Sequence, residues 1–142
     1  MKRCEIFRWL KTKKYAIFFL QEVYCSKDKE ICWTSEWGYS AIFSSLSSAI
    51  AGVNTLFNNN FSFQILKTIS DPKGLRFMIV DIKTESKTLT LANMYAPNND
   101  DPFFFENVFK HFLTFKCEEI ILGGDFKFGC TKRQKRREPR NT

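Results

Sequence analysis

Three stretches of the chain place polar side chains where an apolar run stops. Gln21 and Glu22 follow YAIFFL, the segment NMYAPN (93–98) follows TLTLA, and Gly124 and Asp125 follow EIIL. Groups carried on loops at strand ends can be gathered into one site by a rigid scaffold. Carboxylates, a phenol and amides are able to hold a cation, move a proton and bind an anion. Taken singly, each stretch has an ordinary reading: a Glu after a strand is a surface residue, Asn around Pro is a turn, and Gly-Gly-Asp is a loop. Their meaning depends on the elements that position them.

Tyr15 to Leu20 is short, continuous and apolar, the pattern of a strand covered on both faces. Ahead of it, Ile6, Trp9 and Leu10 fall at i, i+3, i+4 and predict a short amphipathic helix. Ser26 is placed to cap a helix over about residues 27 to 36. Five strands are expected at Tyr39 to Phe43, Gly52 to Phe57, Phe61 to Ile69, Leu75 to Lys83 and Thr88 to Tyr95. Turn material separates them, namely a Ser/Ala stretch at 44–52, NNN (58–60), DPKG (71–74) and ESK (85–87). Period two puts Leu89, Leu91, Asn93 and Tyr95 on one face. Asp101 and Pro102 open a helix over 102 to 115 whose apolar stripe is Phe105, Val108, Phe109, Phe112 and Leu113, with His111 on its polar side. Ile120 to Leu122 reads as a further buried strand.

The chain has 142 residues, enough for one core, and is 44% hydrophobic with sixteen Phe, a folding composition. Its net charge of +7 is not spread evenly: residues 127–142 hold seven Lys/Arg and one Glu, leaving 15 basic against 14 acidic residues elsewhere. That tail, KRQKRREPRNT at its end, has no apolar periodicity and is expected to be disordered. Five Cys without a C-x-x-C pair, and one His not spaced with them, exclude a zinc ligand set and point to reduced intracellular thiols, cytoplasmic or nuclear. No apolar run is long enough for a membrane span.

In order and context the three stretches are far more specific than singly. FLQEVYC, WGYSAIFSS, SAIAGVNTLFNN, LTLANMYAPNND and EEIILGGDF resemble the endonuclease/exonuclease/phosphatase superfamily along nearly all of residues 1–126. Within it they are most similar to the apurinic-endonuclease-like domain of non-LTR retrotransposon polyproteins, which also carry a reverse transcriptase. The resemblance implies a DNase I-like, partial four-layer α/β sandwich with a mostly antiparallel sheet and flanking helices. It implies magnesium as cofactor and DNA as partner, since phosphodiester hydrolysis calls for a divalent cation, a base for water and donors to the phosphate. By the same resemblance Glu22 would be the metal ligand, Tyr95 a catalytic phenol, Asn98 a phosphate-side group, and Asp125 the acid that orients or activates water.

The departures carry weight too. Lys127 stands on the phosphate side where such domains read Asn, and Tyr24 replaces a common His. The family's opening strand and its Ser-Asp-His segment have no counterpart. The sequence therefore reads as a truncated domain (1–126) followed by a basic tail (127–142) that resembles a shifted reading frame, and it is expected to be inactive as it stands. The alternative is a non-enzymatic protein whose tail binds nucleic acid or an import receptor.

Overall fold

The computed structural model describes residues 2–44, 52–71, 76–97, 102–114 and 119–125. The helix α1 (Arg3–Lys11) and the strand β1 (Ile17–Val23) form where the 3.6-residue and continuous apolar patterns place them. Ser26 precedes a 3-10 turn over Lys27–Lys29 rather than an α-helix, and its side chain makes no capping bond. The α-helix α2 begins at Glu30 and runs to Trp37. Gly38, in the left-handed conformation, ends it by donating its N–H to the Thr34 carbonyl. Then come β2 (Ala41–Ser44), β3 (Gly52–Phe57), β4 (Gln64–Ser70), β5 (Phe77–Lys83), β6 (Thr88–Tyr95), the helix α3 (Pro102–Phe112) and β7 (Glu119–Asp125).

The expected single sheet is instead two. One has the order β1-β3-β2 and is antiparallel throughout; the other has the order β4-β5-β6-β7 and is antiparallel except for the parallel pair β6–β7. The parallel pair follows from connectivity, because α3 lies between its strands and a crossover helix returns the chain in the same direction.

Period-two alternation assigns the faces. Val53 and Phe57 of β3, Met78, Val80 and Ile82 of β5, and Leu89, Leu91 and Tyr95 of β6 meet between the sheets. Trp37, Phe7 and Leu10 close over Leu56, Phe18 and Leu20 on the outer side of the first sheet. The Trp37 indole N–H donates to the Phe57 carbonyl at 3.0 Å, which satisfies the one polar atom of a fully buried ring. Phe77, Ile79, Ala92 and Met94 point outward from the second sheet against Val108 of α3. The order helix, sheet, sheet, helix makes the sandwich four-layered.

Three expectations about packing need correction. On α3 the buried stripe is Phe104, Phe105, Val108 and Phe112, while Phe109 and Leu113 are 45% and 85% exposed. His111 is half-buried with its ring 5.6 Å from that of Phe77, so it is part of the helix–sheet contact and not a polar-side residue. The strand β7 is not buried: it forms a sheet edge, and Ile120, Ile121 and Leu122 are all exposed. The sequence loops at 45–51 and 72–75, the residue Asp101 and the whole basic tail lie outside the described residues.

Candidate active site

The three polar stretches converge at one end of the sandwich. β1 breaks register between Leu20 and Val23, a bulge that inserts residues into the ladder with β3. Within it Glu22 takes a positive φ of 55°. That left-handed conformation costs a residue with a side chain roughly 1 kcal/mol or more. The bulge turns the Glu22 carboxylate toward β6, where the Tyr95 phenol donates to its Oε1 at 2.6 Å. Behind this pair, the Gln21 amide nitrogen donates to Asn93 Oδ1 at 2.8 Å, and Asn93 Nδ2 donates to the Asn54 carbonyl at 3.1 Å. Asn93 is fully buried between the sheets, so these bonds fix how β1 sits over β6.

Asp125 is brought in by the parallel ladder. It is paired with Tyr95, and the Ala96 N–H donates to the Asp125 carbonyl at 2.9 Å. Side chains paired in this way share a face, so Asp125 lies on the same side as Tyr95 and Glu22. Both glycines ahead of it are required by space. A Cβ on Gly123 would lie 2.3 Å from the Phe19 ring of β1, and one on Gly124, at φ +138°, would lie 1.9 Å from the Met94 carbonyl oxygen. The Gly-Gly pair thus lets β7 pass close under β1 and then delivers the acid.

Arg76, just before β5, completes the end of the site and carried no signal in the sequence. Its guanidinium stacks 4.7 Å over the Tyr95 ring, and its Nη1 is buried with no hydrogen-bond partner among the described residues. Its backbone N–H is anchored by Asp71 Oδ2 at 3.2 Å. A residue before a strand is told from any surface Arg only by what it stacks on. Of the expected site residues, then, Glu22, Tyr95 and Asp125 come together, whereas Asn98 and Lys127 lie outside the described residues.

The donor chemistry suits a hard cation. Glu22 is exposed, and its Oε1 is engaged by Tyr95. Among the described residues there is no cluster of three or more His, Cys, Asp or Glu side chains able to hold a metal ion.

Two facing sheets with outer helices, and acids gathered at the strand ends, define an α/β sandwich of the endonuclease/exonuclease/phosphatase type. No family model matches the chain. Solved structures bear out the fold: a humanized TDP2 from D. rerio superposes with a TM-score of 0.67 at 12% identity, over 89% of this chain and 55% of that one. An endonuclease/exonuclease/phosphatase family protein from Leptotrichia buccalis gives 0.55 at 15% identity, over 88% and 59%. In sequence the chain is 30% identical, over 127 residues and 87% of its length, to the 149 kDa protein of transposon TX1 from Xenopus laevis. It spans 10% of that relative and little more than half of the two structures. The chain thus has the fold of the endonuclease/exonuclease/phosphatase proteins and is similar in sequence to a transposon protein. No helix among the described residues is long and apolar enough to cross a membrane.

Proposed function

We propose that this site derives from a magnesium-dependent, DNA-nicking domain of a non-LTR retrotransposon, and that the chain as it stands does not turn over. The observation that carries the reading is the Tyr95–Glu22 hydrogen bond at 2.6 Å, next to Asp125 on the neighbouring strand. When bound, a divalent cation supplies neutralisation of charge on the phosphoryl oxygens and leaving group. The chain's own residues do the rest. Glu22 would hold the cation, with its carboxylate oriented by the Tyr95 phenol. In the active ancestor Asp125 would accept the proton of the attacking water. The Arg76 guanidinium, held over the Tyr95 ring, would bind a phosphate oxygen, to which its planar fork is well matched. A crystal structure of D. rerio TDP2 holds a single-strand DNA product, which agrees with nucleic acid as the substrate class.

Inactivity is argued from Lys127. Lys127 puts a cationic side chain at the position, two residues beyond Asp125, where the resembling domains carry an Asn amide. Supercoiled-plasmid nicking in magnesium, beside an Asp125→Ala control, tests this half of the reading: cleavage that the control abolishes would overturn it. Calorimetric titration with magnesium or manganese tests the other half. Binding by the parent chain that Glu22→Gln removes is expected, and equal binding by both would reject Glu22 as the ligand.

A further inference from the structure

A second group of cations precedes β1, the strand whose far end carries Glu22. Outside the C-terminal tail the chain is nearly neutral, yet the stretch before Tyr15 holds Lys2, Arg3, Arg8, Lys11, Lys13 and Lys14 against the single acid Glu5. Two of these are engaged locally. Arg3 forms a double hydrogen bond with Glu36, and Lys11 Nζ donates to the Glu36 carbonyl while lying over Trp37 and Tyr39. Among the described residues Arg8, Lys13 and Lys14 make no ion pair.

Two large flat rings stand beside them. Trp9 is 55% exposed and Tyr15 is 68% exposed, with Lys13 Nζ 4.7 Å from the Trp9 ring centre. Helix α1 carries Trp9, and the turn after it, which carries Tyr15, is held in place. Asn58 donates its side-chain amide to the Lys13 and Tyr15 carbonyls at 3.2 and 3.0 Å, Thr12 Oγ1 donates to the Trp9 carbonyl, and the Tyr15 ring meets Phe18 edge-on. Exposed rings kept in position among cations outside any ion pair are the two components of a surface that binds single strands: phosphates take the charge and unstacked bases take the π-faces.

Other partners fit less well. A membrane-surface helix must insert its apolar face, but Phe7 and Leu10 of α1 are buried against α2 and the first sheet. An acidic peptide would use the cations and leave Trp9 and Tyr15 idle. We infer that Arg8, Trp9, Lys13, Lys14 and Tyr15 form a single-stranded nucleic-acid contact separate from the Glu22–Tyr95–Asp125 site. The turn precedes β1 and the site lies where β1 ends, so the whole extended length of that strand stands between the two.

The test is fluorescence anisotropy of a short labelled oligothymidylate with the full chain, in EDTA, across salt. Because no divalent cation is present, an inactive hydrolytic site leaves the readout intact, and the two readings fail separately. Trp9→Ala is expected to weaken binding about tenfold and Trp9→Phe to keep most of it, the range for loss of one stacked base. Lys13→Ala with Lys14→Ala is expected to lower the slope of log affinity against log salt by about 1.4, at ~0.7 per phosphate on a single strand. Lys14 and Trp9 are exposed and Lys13 is not buried, so both variants leave the core untouched. Parent-like binding in Trp9→Ala and in the lysine pair would overturn the inference, as would a parent chain that does not bind.

Discussion

Glu22 and Tyr95 are 73 positions apart, and a 2.6 Å hydrogen bond from the phenol to the carboxylate joins them across the two sheets. The acid reaches that bond only through a left-handed backbone. Local conformation is sacrificed at this residue for the aim of its side chain, which is where such strain is expected in a functional site.

That strain is measurable. Glycine adopts φ > 0 freely while alanine does not, so Glu22→Gly is expected to be more stable than Glu22→Ala by about 1 kcal/mol. Both lose the bond to Tyr95, so urea denaturation of the two variants isolates the backbone contribution. Equal midpoints would show that the bulge relaxes when the carboxylate is removed.

The two glycines before Asp125 should fail differently. Gly124→Ala sets a Cβ against the Met94 backbone, which cannot move aside. It is expected to cost roughly 3 kcal/mol or more. Gly123→Ala meets only the Phe19 ring, an overpacking of about 1–3 kcal/mol. Adding Phe19→Leu should recover part of the loss in Gly123→Ala and none in Gly124→Ala. Thermal melts of the four single and double variants give the comparison.

Arg76→Met keeps the apolar stem over Tyr95 and removes a buried Nη1 that has no hydrogen-bond partner among the described residues. Stability in urea is expected to stay within about 1 kcal/mol of the parent, lost cation–π attraction offsetting relieved desolvation. Affinity for a phosphate-bearing strand that reaches the site should fall about tenfold, as for loss of a charged hydrogen bond. A stable variant with undiminished affinity would remove Arg76 from the phosphate contacts.

Cys25 is buried, and burial first, then the nearby Glu30 carboxylate, pushes its thiol from 9.0 up to about 11. Iodoacetamide at pH 8 with peptide mapping is therefore expected to label the exposed Cys4 and Cys32 and spare Cys25. The folded thiol keeps its proton above the value at which the unfolded one ionises. Its contribution to stability is therefore fully present below pH 9 and declines between pH 9 and about 11.

Strand identity was legible because alternation and turn residues are local: β3 and β6 occupy the residues expected of them, Gly52–Phe57 and Thr88–Tyr95. Sheet membership was not. Nothing between Phe57 and Gln64 says that the chain leaves one sheet for the other, since both sides of that turn alternate alike. Val53 and Phe57 look the same whether they face a helix or a second sheet. Of the α3 stripe, Phe105, Val108 and Phe112 were legible, but Phe104 was exchanged for Phe109 and Leu113, because a run of three Phe at 103–105 offers two apolar faces and only contact with Phe77 chooses between them. That Glu22, Tyr95 and Asp125 lie together was legible through motif order, while the stacking of Arg76 on Tyr95 was not, because no spacing encodes it.

The parallel β6–β7 pair also sets when this molecule can be finished during its own synthesis. Helices α1 and α2 and the first sheet are all encoded ahead of Asn58, and β4, β5 and β6 follow as neighbouring antiparallel strands, so both can organise as the chain emerges. The β7 strand cannot join them until α3 has been made and has crossed the outer face. Asp125 is the last residue of that last strand, and its partner in the ladder, Tyr95, has left the ribosome well before it. A ribosome that stalls between Tyr95 and Asp125 leaves a chain that already holds both Glu22 and Tyr95 while the neighbouring acid is still unmade.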